Sequence, residues 1–142
     1  MKNLFKISII ILVAITAIPR SASAQCNNEE FVNASVSSLL PGYSLLKSYK
    51  INGEKDLEKV EFSYVLTKGT QYILNLKDKN AAPATVVTLY DAQRNKIATN
   101  KIGSTIAPAI AFSCSSTGIY YITYTFEPAS ERCAGSTLGF KR

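Results

Sequence analysis

From Gly42 onward, apolar side chains fall on every second residue. Val60, Phe62, Tyr64 and Leu66 alternate with Glu61, Ser63 and Thr67. A strand turns successive side chains to opposite faces, so this pattern describes a strand with one dry side and one wet side. The same period runs through Tyr43, Leu45, Tyr49 and Ile51, through Tyr72, Leu74 and Leu76, and through Ile106, Pro108, Ile110, Phe112 and Cys114. It returns in Ile119 to Phe126 and in Ala134, Ser136, Leu138 and Phe140. Turn signals separate these runs: Asn52-Gly53, Lys68-Gly69, Asp91 to Asn95, Gly103-Ser104 and Thr117-Gly118. About eight strands at intervals of roughly eight to twelve residues predict a mainly β chain, an antiparallel β-sandwich. Pro108 marks an edge or a bulge, because proline has no N–H to give a ladder.

One segment breaks the pattern. Phe31, Val32, Ser35, Val36, Leu39 and Leu40 recur at helical spacing, and Pro41-Gly42 ends the run. Asn27 and Glu30 stand at cap positions, which predicts a helix over about 28–40. A stripe on a helix of about three turns must be buried against something else.

The first 24 residues read differently again. A basic start with Lys2 and Lys6 leads into the apolar run Ile7 to Ile18, then Pro19-Arg20 and the small residues Ser21 to Ala24. That is the form of a secretory signal peptide. The run of about 12 residues falls short of the roughly 20 that span a bilayer. Gln25 separates Ala24 from Cys26, against lipidation. The expected mature chain is one domain, 25–142, exported to the periplasm or secreted, with no membrane span. Without Lys2, Lys6 and Arg20 the formal charge falls from +6 to +3. The remaining lysines are scattered among acids, which speaks against a nucleic-acid groove.

The chain has no histidine, so the usual general base for a serine or cysteine nucleophile is missing. Ser48 and Lys50 fit neighbouring sites on one strand face. The cysteines stand apart, without the ligand spacing of zinc sites. Glu54, Asp56, Glu58 and Glu61 lack a calcium-loop register and are interleaved with Lys55 and Lys59. No catalytic, metal or cofactor residue is assigned, and an enzyme is not expected.

Three cysteines cannot all pair within one chain. Cys114 and Cys133 flank the strand Ile119–Phe126. A rise of roughly 3.3 Å per residue puts them about 20 Å apart at opposite ends, and a disulfide needs Cα atoms within about 7 Å. If the first strand pairs antiparallel with the last and the helix doubles back along it, Cys26 comes beside Cys133. Cys26–Cys133 is therefore the expected bridge, with Cys114 a buried free thiol.

The stretch Ile119 to Phe126 puts Tyr120, Ile122, Tyr124 and Phe126 on one face, taken as core. The other face carries Tyr121. With Tyr43 and Tyr49, Tyr121 offers aromatic contacts for a glycan. The competing reading packs these rings under the helix or loops.

Three pieces resemble a known family: "FSYVLTKGTQYILNL" at 62–76, "VTLYDAQRNKIATN" at 87–100 and "STGIYYITYTF" at 116–126. In this order they resemble the bacterial pre-peptidase C-terminal type of domain, a jelly-roll-like β-sandwich. The resemblance implies a non-catalytic accessory or binding module. The acids through which some relatives bind calcium are missing before Leu89-Tyr90-Asp91, where Ala84 to Val87 stand. The helix and cysteines more loosely resemble small exported proteins of Bacteroidetes-type bacteria. The expected role is contact with an envelope or extracellular protein, with a carbohydrate-binding module as the alternative.

Overall fold

The computed structural model describes residues 26–54 and 57–142. The expected signal peptide lies outside them. The elements are a helix α1 (Asn28–Ser37) and ten strands: β1 (Ser44–Asn52), β2 (Lys59–Leu66), β3 (Gln71–Asp78), β4 (Thr85–Tyr90), β5 (Lys96–Thr99), β6 (Lys101–Ile102), β7 (Thr105–Ile106), β8 (Ala109–Ser113), β9 (Gly118–Phe126) and β10 (Cys133–Lys141). The chain is mainly β, and every strand pairing is antiparallel.

The long strands make two four-stranded sheets. Sheet A has the order β1-β10-β3-β8 and sheet B the order β2-β9-β4-β5. The expected pairing of first strand with last is present, from Ser44 opposite Phe140 to Asn52 opposite Cys133. Ten strands replace the expected eight or so because Gly103, at φ +60°, folds residues 101–106 into the small hairpin β6-β7. That hairpin stands apart from both sheets.

The inward side chains of the two sheets share one core. Sheet A supplies Tyr49, Ile51, Tyr72, Leu74, Leu76, Ile110, Ala134 and Leu138; sheet B supplies Leu66, Val87, Leu89, Tyr120, Ile122 and Tyr124. These are the alternating positions of the sequence. The layers touch where Tyr49 meets Phe62, ring centroids 4.8 Å apart. A polar link also joins them: Tyr124 Oη donates to Ser136 Oγ (2.8 Å), which donates to the Asn75 carbonyl (2.9 Å). A buried hydroxyl needs such a partner, since an unmade bond in the interior costs about 1–3 kcal/mol. Cys114 is free and buried in the same core.

The helix lies on the outer face of sheet A, against β10, β1 and β3. Four of the outward residues of β10 are Cys133, Gly135, Thr137 and Gly139, and these small side chains let the helix come close. A Cβ on Gly135 would strike the backbone of Phe31 and Val32, and one on Gly139 would sit 2.6 Å from Leu39 Cδ2. Ser35 Oγ meets Thr137 Oγ1 at 2.6 Å, and Asn75 Nδ2 donates to the Ser35 carbonyl at 3.3 Å. Cys26 and Cys133 are bonded, as expected, tying the start of the helix to the start of β10.

Two local expectations need correction. The helix ends at Ser37, not near Leu40, because Ser37 and Ser38 turn their hydroxyls back onto the carbonyls of Asn33 and Ala34, a bond that competes with regular helix. Asn27 makes no side-chain cap. The neighbouring Asn28 instead donates from Nδ2 to the carbonyls of Ile51 (2.7 Å) and Ala134 (3.0 Å), pinning the helix to two strands at once.

Candidate binding face

With α1 on sheet A, the outer face of sheet B carries no helix among the described residues. Alternation sends Lys59, Glu61, Ser63 and Val65 of β2 and Ile119, Tyr121, Thr123 and Thr125 of β9 to this side. The ladder sets them in pairs: Lys59 by Thr125, Glu61 by Thr123, Ser63 by Tyr121 and Val65 by Ile119. Val65 and Ile119, side by side, are 59% and 48% exposed.

The middle of the face is ordered by Arg94, which comes from the β4–β5 turn. Asp91 builds that turn: its Oδ1 accepts from the backbone N–H of Gln93 and Asn95, and its Oδ2 from the side chain of Asn95. These bonds hold the Asp91 carboxyl below its ordinary range, the Asn95 side chain foremost. Arg94 takes a left-handed conformation, φ +67°, uncommon for a residue with a Cβ. Its guanidinium carbon then lies 3.6 Å from the centroid of the Tyr121 ring, and Nη1 donates to Glu61 Oε2 at 2.8 Å. The arginine thus reaches from the β4–β5 turn over β9 to β2. Thr123 Oγ1 donates to the same carboxylate oxygen at 2.9 Å, and Lys59 Nζ stands 3.5 Å from it. The hydrogen bond from Arg94 is the main reason the Glu61 carboxyl is held below its ordinary range, with Thr123 and Lys59 adding to it. A cation over an aromatic face and a paired carboxylate fix one another, so this group is preorganised.

The three tyrosines singled out from the sequence do not form a platform. Tyr121 is on this face, but a guanidinium covers its ring. Tyr49 is buried, 4% exposed, and packs on Phe62 between the sheets. Its place in the alternation with Ile51 puts it in the core, so it is not a surface contact. Tyr43 lies just before β1, beside a shallow hollow of about 170 Å³ shared with Gln71, Ala111, Phe112 and Ser113. Ser48 and Lys50 make no dyad, since Lys50 forms an ion pair with Glu29 of the helix. Among the described residues, no group of three or more Cys, Asp or Glu converges as a metal site would require. None of their helices is long and apolar enough to cross a membrane.

Arg94, and its pairing with Glu61, escaped sequence reasoning. Aspartate four residues before asparagine is a legible turn signal, but only the strand order brings Glu61 within reach of that turn.

No family model and no curated protein matches the chain. Among solved structures it is similar to PliG of Aeromonas hydrophila, a periplasmic lysozyme inhibitor of g-type lysozyme. The two share 14% identity over 70% of this chain and 85% of that one, with a TM-score of 0.44.

Proposed function

We propose that this chain is an exported, non-catalytic β-sandwich module that works by contact with a protein of the cell envelope or outside it. The observation that carries the reading is the Arg94–Tyr121–Glu61 group on the face of sheet B opposite the helix-covered sheet. Arginine and tyrosine are the side chains that most often dominate protein contacts, above all when they are held in place beforehand. Exposed Val65 and Ile119 extend the same face with apolar surface. Export is supported by the leader-like first 24 residues and by the Cys26–Cys133 bridge, which belongs to oxidising compartments.

Cross-linking in an envelope fraction, with peptide mapping, tests this. The expected result is a protein partner linked to sheet B, reduced at least tenfold by the pair Arg94→Ala and Tyr121→Ala. Turnover by the purified chain, or glycan binding with no protein partner, overturns it.

A further inference from the structure

Each sheet ends in two strands with one side unpaired, and such edges invite pairing with foreign strands unless something guards them. Three of the four are guarded. β1 is broken by a bulge between Leu45 and Lys47 and carries Lys47 and Lys50. β5 has four residues and an irregular register against β4. β8 has five residues, and Pro108 directly precedes it. β2 differs: eight residues run in unbroken register with β9 from Lys59 to Leu66. It holds no proline and no bulge, and its only lysine is its first residue. Of its four inward residues, Val60, Phe62 and Tyr64 are only half-buried, as at an open edge, and Leu66 is buried. Among the described residues no group outside β9 takes up its main-chain hydrogen-bonding positions.

We infer that β2 accepts an extended strand from a partner protein, which continues sheet B and alternates apolar with polar side chains, with a carboxylate set beside Lys59. This rests on the protein-contact reading and names its surface. Main-chain bonds supply the attachment in such strand addition, and alternate side chains the choice of partner. The carboxylate follows from charge. Glu61 is satisfied by Arg94 and Thr123 at 2.8 and 2.9 Å, while Lys59 reaches it only at 3.5 Å and is 58% exposed. Lys59 is thus the cation with attraction to spare at this edge, and exposed Val65 favours an apolar neighbour at the other end.

A second copy fits less well. Two β2 strands related by a two-fold axis oppose residues of the same face. The longest such registers set Lys59 against Val65 with Glu61 against Ser63, or Glu61 against Val65 with Ser63 against itself. Neither brings unlike charges together.

The test pans a phage-displayed library of random octapeptides against the purified protein and follows one enriched synthetic peptide by hydrogen exchange. The expected peptides alternate apolar with polar residues and carry Asp or Glu. They slow exchange within Lys59–Leu66 but not in β1 or β8. Val65→Lys, at an exposed site that leaves the melting temperature unchanged, weakens binding at least tenfold, and Lys59→Glu weakens it likewise. No enriched peptide, protection on another strand, equal binding to Val65→Lys, or a dimer held through β2 overturns the inference. A cross-linked protein partner kept by Val65→Lys overturns strand addition while leaving the protein-contact reading intact. Cross-links to no protein at all overturn that reading itself.

Discussion

Ser35 Oγ and Thr137 Oγ1 lie 2.6 Å apart where the helix crosses β10. The contact is that short because Gly135 and Gly139 flank Thr137 on the same side of the strand. At Gly135 the helix backbone therefore comes directly onto the strand. Its attachment depends on what those glycines lack.

Gly135→Ala should destabilise the fold by about 3 kcal/mol, the upper range for overpacking, because its Cβ meets the backbone of Phe31 and Val32, which cannot give way. Gly139→Ala should cost less, about 1 kcal/mol, since Leu39 Cδ2 is the end of a flexible side chain. Urea denaturation of both variants checks the order.

The Cys26–Cys133 bridge spans 107 residues of sequence. On the chain-entropy view, closing a loop of that length stabilises by about 4–5 kcal/mol. Replacing both cysteines with alanine should lower the denaturation midpoint by a corresponding amount. Amides of Asn28–Ser37 should exchange faster than those of β9, because the helix loses its covalent tie. Non-reducing peptide mapping should give a 26–133 link and an unlinked Cys114.

Tyr49 and Tyr124 share a core but should respond with different signs to loss of the hydroxyl. Tyr124 Oη donates to Ser136, so Tyr124→Phe should cost about 1 kcal/mol or more and leave Ser136 under-satisfied. Tyr49 Oη is buried without a partner among the described residues, so Tyr49→Phe should be neutral or stabilising. Thermal melts of the two variants decide this.

Burial also pushes both phenols well above the ordinary tyrosine range, with the neighbouring Tyr64 adding to the effect at Tyr49. The native state then holds these protons longer than the unfolded chain does. Their contribution is complete below about pH 10, the ordinary phenol value, and declines as pH rises beyond it. Spectrophotometric titration should show at least two tyrosines that ionise only with alkaline unfolding.

Acid should act in the opposite sense through Glu61. Its carboxyl is held low in the folded protein, chiefly by Arg94. The stabilisation is present above the unfolded carboxylate pKa and is lost as pH falls through the lower folded value. Glu61→Gln should flatten the acid limb of the stability–pH curve, and Arg94→Gln should flatten it nearly as much. An unchanged limb in both would refute the coupling.

Much of this architecture was legible in the alternation. Val60, Phe62, Tyr64 and Leu66 face inward as the pattern requires, and pairing of the first strand with the last correctly brought Cys26 to Cys133. The seat of the helix was also written in the chain, since Cys133, Gly135, Thr137 and Gly139 are all small. It was hidden because glycines in a strand carry no apolar signal of their own. Tyr49 was readable as core from its phase with Ile51, yet a tyrosine's hydroxyl makes a surface role equally natural. Arg94 was not legible. A left-handed arginine depends on hydrogen bonds local to its turn, and its contacts depend on which strands become neighbours.

The strand lodged between β1 and β3 is the last of the ten to be synthesised, and it brings the cysteine that Cys26 must meet. The partner of Cys26 and the neighbour of both β1 and β3 thus lie in residues 133–141. Sheet A closes only with them, so a molecule truncated before that point lacks both its central rung and its latch. The Cys26–Cys133 bond, formed when an external oxidant takes two electrons from the paired thiols, is open only to a chain that extends through β10.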